Sequence, residues 1–329
     1  IWRFHSPANV ISTPALVNGK VVFGNQNGTV QALNLLSGKK EWAYQTRGPI
    51  FSTPASTTNQ LILGSADGNV YSFTDAGKKT WTYVTAAAVL GSPVIENNVA
   101  YIGGSDGCFQ ALTASTGKAI WKYCSLEGPV TGTPLVYGET VIFGAWDRNL
   151  YALNKKTGVL IWKWNNGSPV INYSPAACTP VVSDGVVYIV APDRYLSAID
   201  ATTGSTLWRT GESKVRESLG ISEDGQVVFG KTMQDSVVAF RTNRQSAKEA
   251  WKFNVGFGYE HVPSMLVEKE GRQFFGTKNG VVYCIDGARG KISWSHKVDN
   301  SMVNTVRVLN SKQILVSTMD GTVVLLEEH

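Results

Sequence analysis

Residues 12–44 read STPALVNGKVVFGNQNGTVQALNLLSGKKEWAY. Three turn dipeptides, Asn18-Gly19, Asn27-Gly28 and Ser37-Gly38, cut this stretch into short runs rich in Val, Phe and Leu. Asn-Gly supplies the positive φ of a tight hairpin, so the runs read as four antiparallel strands, A to D, of one small sheet. One such sheet cannot cover both of its apolar faces, and the rest of the chain repeats the unit to do so.

Trp2, Trp42, Trp81, Trp121, Trp162, Trp208, Trp251 and Trp294 mark the repeat, with a period of about 40 residues. The B–C turn recurs as Asn27-Gly28, Asp67-Gly68, Asp106-Gly107, Asp147-Arg148, Asp193-Arg194, Asn279-Gly280 and Asp320-Gly321, and the C–D turn as Gly38, Gly77, Gly117, Gly158, Gly204 and Gly290. No helical period competes, and four-stranded units at this spacing mean an all-β protein, a β-propeller. A strands are expected to begin near Ser12, Ser52, Gly91, Gly132, Cys178, Ser218, Val262 and Asn304, which makes eight blades. The expected bounds are 6–45, 46–85, 86–125, 126–166, 167–212, 213–255, 256–297, and 298–329 with 1–5, in a single domain. The last unit stops after strand C, and the opening IWRF is an orphan strand D, so Trp2 is expected to complete blade 8 and close the ring.

The 329 residues are 43% hydrophobic and 17% charged, as in a globular protein. A net charge of +5 without a Lys/Arg run does not point to nucleic acid. No stretch has the length of a membrane span. The start, IWRFHSP, lacks the basic and apolar regions of a signal peptide, which suits a mature form or a domain of something longer.

The segments ALTASTGKAIW (111–121), ALNKKTGVLIW (152–162) and AIDATTGSTLW (198–208) resemble the motif of the PQQ-like (pyrroloquinoline quinone-like) repeat family. The resemblance runs through the whole chain and implies the propeller. It also implies several functions, because the repeat serves quinoprotein dehydrogenases, outer-membrane assembly lipoproteins and accessory domains. The eight repeating Trp residues are expected to pack between blades. Quinoprotein dehydrogenases carry an adjacent Cys pair, a calcium held by Glu and Asn, and a catalytic Asp. This sequence has no Cys-Cys and lacks their long insertions. No cofactor is therefore expected, and PQQ with calcium is disfavoured. The four His show no metal spacing, and there is no GxSxG elbow or phosphate loop.

Cys108 begins strand C of blade 3 and Cys124 ends its strand D. They fall opposite each other across the hairpin, so either a cross-strand disulfide or two packed thiols fits. Cys178 and Cys284 stand where Ser12 and Ala32 stand in other units and read as buried filler. A disulfide favours an oxidising compartment, periplasmic or extracellular before cytoplasmic.

Function is sought where the repeat breaks its own rule. Strand A lines the channel, and the D–A and B–C segments share one face. On that face the B–C loops become AWDRN (145–149), APDRY (191–195) and KTMQDS (231–236). The D–A segments become NNGSPVINYSPAAC (165–178), KVRESLG (214–220) and GYEHVPS (258–264). Trp146 is expected at an exposed loop tip. Arg216, Glu217, Glu260 and His261 are expected to converge at the channel mouth, ringed by Arg148, Asp193, Arg194, Lys231 and Lys278. Such a cluster would bind a polar small molecule, a glycan or a partner protein. Two other readings remain: a salt-bridged, water-filled plug, and a Glu–His pair doing acid–base chemistry. The functional expectation is a non-enzymatic binding or scaffold propeller acting through blades 4–7, with an outer-membrane-assembly scaffold and a quinoprotein dehydrogenase as alternatives.

Overall fold

Each repeat folds into one four-stranded antiparallel sheet. A computed structural model describes residues 1–259 and 264–328, the side chains of Glu217 and Ser218 excepted. In blade 1 the strands are Ala15–Val17, Lys20–Gly24, Thr29–Asn34 and Lys40–Gln45, hydrogen-bonded in that order. The two middle strands are buried almost throughout, whereas Lys40–Gln45 is largely exposed. Neighbouring blades cover both faces of the middle strands, which therefore read as apolar runs instead of alternating. Eight such sheets make the ring, a β-propeller. Blade 8 joins Arg307–Val308, Gln313–Ser317 and Thr322–Glu327 to the N-terminal strand Trp2–His5, with Trp2 opposite Leu325 and His5 opposite Thr322. Strands from the two ends of the chain thus close the ring, which leaves only the short outer edge of each blade.

The inner strands of blades 1–5 start later than the sequence suggests, whereas that of blade 6 starts earlier, at Val215 instead of Ser218, and the expected start of blade 7, Val262, lies outside the described residues. Blades 1, 2, 3, 4 and 5 begin theirs at Ala15, Ala55, Val94, Leu135 and Val181, each directly after a proline. Proline has no N–H to give the ladder, so pairing begins one residue beyond it. The 165–178 segment also differs from a plain loop, forming two 3-10 turns, Ile171–Tyr173 and Pro175–Ala177. No helix among the described residues is long and apolar enough to cross a membrane.

The repeated motif is a joint between blades. Asn154 Oδ1 accepts from the Lys156 and Thr157 N–H groups, both at 3.0 Å, and from the Thr157 hydroxyl at 3.2 Å. Asp200 does the same for Thr202 and Thr203. This Asx turn delivers Gly158 at φ 72°, and a Cβ there would stand 2.6 Å from the ring of Trp121 in the preceding blade. Glycine is needed for its φ and for the room it leaves. The Trp121 indole N–H completes the joint on Lys155 O at 3.0 Å. Trp2, Trp42, Trp81, Trp162 and Trp208 donate in the same way to Leu35, Asp75, Ala114, Ala201 and Asn243.

The last two joints depart from the uniform pattern that the repeat suggests. Trp251 still packs between blades, against Phe229 of its own sheet with ring centroids 5.8 Å apart. Its far ring edge, however, lies over Gly287 of blade 7, where a Cβ would overlap it, and the turn glycine Gly290 faces Phe253 instead. Gly287 stands where blade 1 has Leu35, and the missing side chain makes room for the indole to cross that position. Trp294 has a buried indole nitrogen with no hydrogen-bond partner among the described residues. The blade after it is blade 8, whose outer two strands come from opposite ends of the chain.

Cys108 and Cys124 are joined in a disulfide, with Cα atoms 4.1 Å apart, just beyond the paired Phe109 and Tyr123. Cys178 and Cys284 are reduced and buried, and burial pushes the Cys284 thiol up to about 11.

Candidate functional site

The inner strands enclose a channel with two chambers, of about 640 and 350 Å³. Thr13, Thr53, Thr133, Thr179 and Thr305 line both and so form the waist between them. The waist is tied from blade to blade. The Thr13 N–H donates to Thr53 Oγ1 at 3.1 Å, the Thr53 N–H to Ser92 Oγ at 2.9 Å, and the Met265 N–H to Thr305 Oγ1 at 3.0 Å. Strand pairing puts Met265 of blade 7 at this level, so the hydroxyl belt is interrupted there. In blade 6 the level falls on Ser218, whose side chain lies outside the described residues.

A bulge accounts for the charged stretch of blade 6. Its inner strand, Val215–Ile221, pairs Val215 with Thr232 and then Leu219 with Gly230, so the three residues between have no regular partners. A bulge re-aims side chains out of the ladder. Arg216 lines the upper chamber with Ile11, Phe51 and Asn172. The Glu217 side chain, Glu260 and His261 lie outside the described residues.

The anticipated outer ring divides. Lys231 is buried at 2% exposure, with Nζ 3.2 Å from Gly276 O of blade 7, and is not at the rim. It pairs with Val237 as Gly24 pairs with Val30 in blade 1, and a Cβ on Gly24 would point at Ile50 of the next blade. This register turns the Lys231 side chain inward, against its neighbour. Trp146 is half-buried, not exposed: its indole N–H reaches Thr131 Oγ1 at 2.9 Å and its ring joins the upper-chamber wall. Lys278 stands 5.3 Å from the Tyr259 ring centroid. Arg148 and Arg194 are exposed.

Both arginines carry strain. They occupy the turn position filled by Gly28, Gly68 and Gly107, and adopt φ 76° and 72°. A left-handed conformation costs a side-chain-bearing residue about 1–2 kcal/mol. The acids beside them are held by the protein. Asp147 accepts from the Tyr151 hydroxyl at 2.6 Å and the Asn149 N–H at 3.0 Å. Asp193 pairs with Arg209 at 2.7 Å and accepts from Asn166 at 2.9 Å. Burial pushes the Asp193 carboxyl above its ordinary range, against the pull of the Tyr195 N–H, Arg209 and Asn166.

Sequence reasoning missed the apolar members of this face. The 165–178 segment is fastened on one side by Arg148 Nη1 to Pro169 O at 3.3 Å and on the other by Asn166 to Asp193. Directly after these ties it exposes Val170, Ile171 and Tyr173, and Tyr195 and Tyr259 are exposed as well. The signal was present as Val-Ile-Asn-Tyr inside a Gly/Ser/Pro-rich loop, where turn chemistry requires no apolar residue.

The described lining of the upper chamber contains no carboxylate, and among the described residues no three His, Cys, Asp or Glu side chains are grouped to hold a metal ion.

A family model described as outer membrane protein assembly factor BamB matches residues 1–88, 150–244 and 234–329. The chain belongs to this BamB family of PQQ-like repeat propellers. Among solved structures, BamB from Moraxella catarrhalis is 18% identical with a TM-score of 0.79, over 100% of this chain and 99% of that one. A computationally designed protein, Ika8, is 17% identical with a TM-score of 0.83, over 98% of each chain. At these identities the likeness is one of fold. A search of curated proteins returned no match. The BamB-like fold is compatible with a scaffold or partner-binding role.

Proposed function

We propose that the protein is a non-enzymatic scaffold that binds a partner protein across the D–A and B–C face of blades 4–7. The observation that carries this reading is the pair of strained arginines. Glycine would make the same turns at no conformational cost, yet Arg148 and Arg194 stand there with φ 76° and 72°. Strain retained at an exposed position is a mark of function. Exposed Val170, Ile171 and Tyr173 lie beside them, and apolar anchors next to arginine are the composition of a protein-binding surface. The description of the family favours a scaffold in outer-membrane assembly. The Cys108–Cys124 disulfide favours a periplasmic or extracellular setting.

The test is the double variant Arg148→Gly/Arg194→Gly. It is expected to melt higher than the parent, because the strain is relieved, and to lose partner proteins captured from extracts of the source cells. A Leu36→Ser control, at an exposed C–D turn on the opposite face, is expected to keep them. An unchanged set of captured proteins in the double variant would refute the proposal.

A further inference from the structure

Arg307 breaks the apolar rule of the inner strands on the lower side of the waist. It pairs with Leu315, at the level where Ala15 pairs with Val22, and the same pairing places Ala55, Val94, Leu135, Val181, Gly220 and Val267 in the other blades. The side chain lines the lower chamber. It is exposed to the lumen, and partial desolvation there lowers its pKa. Its hydrogen bond is from Nε to Pro14 O at 3.4 Å, and no carboxylate among the described residues pairs with it. A cation that lines a chamber without a counter-charge draws anions to it.

The waist supplies the complementary donors. Thr53 Oγ1 and Thr305 Oγ1 each accept a backbone N–H, and among the described residues neither hydroxyl donates to protein. Their protons are therefore available to the lumen, as are the hydroxyls of Thr133 and Thr179, which line both chambers.

We infer that the lower chamber is an anion site, in which a small oxyanion sits between the Arg307 guanidinium and the hydroxyls of Thr53, Thr133, Thr179 and Thr305. A guanidinium fork offers two parallel N–H groups, which match two oxygens of a carboxylate or a phosphate. Hydroxyl donors above it satisfy the remaining oxygens without adding charge. This site is separate from the proposed partner surface, lying across the waist from the upper chamber, and its fate does not depend on that reading.

Phosphate and succinate distinguish an inorganic anion from an organic acid. Each is titrated into the protein at constant ionic strength, followed by calorimetry and by melting temperature. The expected result is saturable binding of at least one of them with a rise in melting temperature. Arg307→Leu, the residue type found at position 135 of blade 4, is expected to weaken that binding at least tenfold while melting no lower than the parent without anion. Thr133→Val/Thr179→Val leaves Arg307 in place and is expected to weaken binding several-fold, and it serves if the first variant folds poorly. No saturable response to either anion in the parent, or an equal response in both variants, would overturn the inference.

Discussion

Gly19 and Gly117 share the same backbone angle, φ 71°, and differ in what surrounds them. An added Cβ at Gly19 meets nothing within 4 Å, whereas at Gly117 it would stand 2.6 Å from the Trp81 ring. Alanine at either position therefore pays the same left-handed cost, about 1–2 kcal/mol. Only Gly117→Ala must also push Trp81 back by about 1 Å to restore ordinary contact at about 3.5–4.0 Å. That retreat loosens the indole N–H bond to Ala114 O, now 2.8 Å, at a net cost of about 1 kcal/mol. Repacking an overfilled joint adds about 1–3 kcal/mol. Gly117→Ala is thus expected to be less stable than Gly19→Ala by about 2–4 kcal/mol. Urea unfolding followed by tryptophan fluorescence measures the difference, with the two slopes compared to check that both variants unfold alike. Midpoints corresponding to stabilities within about 0.5 kcal/mol would show that the glycine is required for its φ alone, and that the joint as described is wrong.

The joint also predicts that Trp residues are not equivalent. Trp121→Phe gives up a hydrogen bond to Lys155 O, whereas Trp294→Phe removes a buried N–H that has no partner among the described residues. The first is expected to be more destabilising by about 1–2 kcal/mol, and equal unfolding midpoints would contradict that. Reducing Cys108–Cys124, which closes a loop over a sequence separation of 16, is expected to cost about 3 kcal/mol. Melting with and without dithiothreitol checks it, with Cys108→Ser/Cys124→Ser as the variant that no longer responds. The Asp200 carboxyl is lowered to about 2 by its hydrogen bond from Arg244 and by the Thr203 N–H. The folded value lies below the unfolded one of about 3.9, so its contribution is present above pH ~4 and disappears as pH falls toward ~2. Asp200→Asn is expected to flatten the melting temperature across that window, and an unchanged slope would count against the assignment.

The fold was legible because one local sentence is repeated around the ring, and each repetition constrains the others. Asn27-Gly28 alone indicates a hairpin; the same turn at a fixed interval, with a Trp after each Gly of the C–D turn, leaves few architectures that bury the apolar strands. The strand starts were less legible, since Pro14, Pro54, Pro93, Pro134 and Pro180 delay pairing for a reason that an alignment of apolar runs does not contain. Nor did the spacing of Trp251 reveal its different seat, which is decided by Gly287 in the next blade. The site was legible in its location and less so in its members. Arg216 reaches the upper chamber, while Lys231, in the B–C segment of the same blade, is turned inward and buried by its register. Whether a charged residue near a loop faces solvent or a neighbouring blade depends on one residue of register, and composition carries no information about that.

Departures from a repeat therefore need a second question: what has the rest of the structure done to accommodate them? Lys231 departs from the pattern and is accommodated, its ammonium bonded to a carbonyl of the next blade. Asp193 departs from nothing, being one of the turn acids, and it is tied to Arg209 and Asn166. Arg148 and Arg194 depart at a conformational cost while remaining exposed, and the single long bond of Arg148 to Pro169 O offsets only part of it. Arg307 departs among apolar residues without an acid partner among the described residues. A residue that the fold has compensated reports on stability, and its replacement should be read in melting curves. A residue that leaves a cost standing reports on something outside the chain that offsets it, so replacing it should raise or preserve stability while removing a binding event. Arg148→Gly/Arg194→Gly and Arg307→Leu are both of this second kind, and opposite signs in stability and binding are the signature that separates them from damage to the fold.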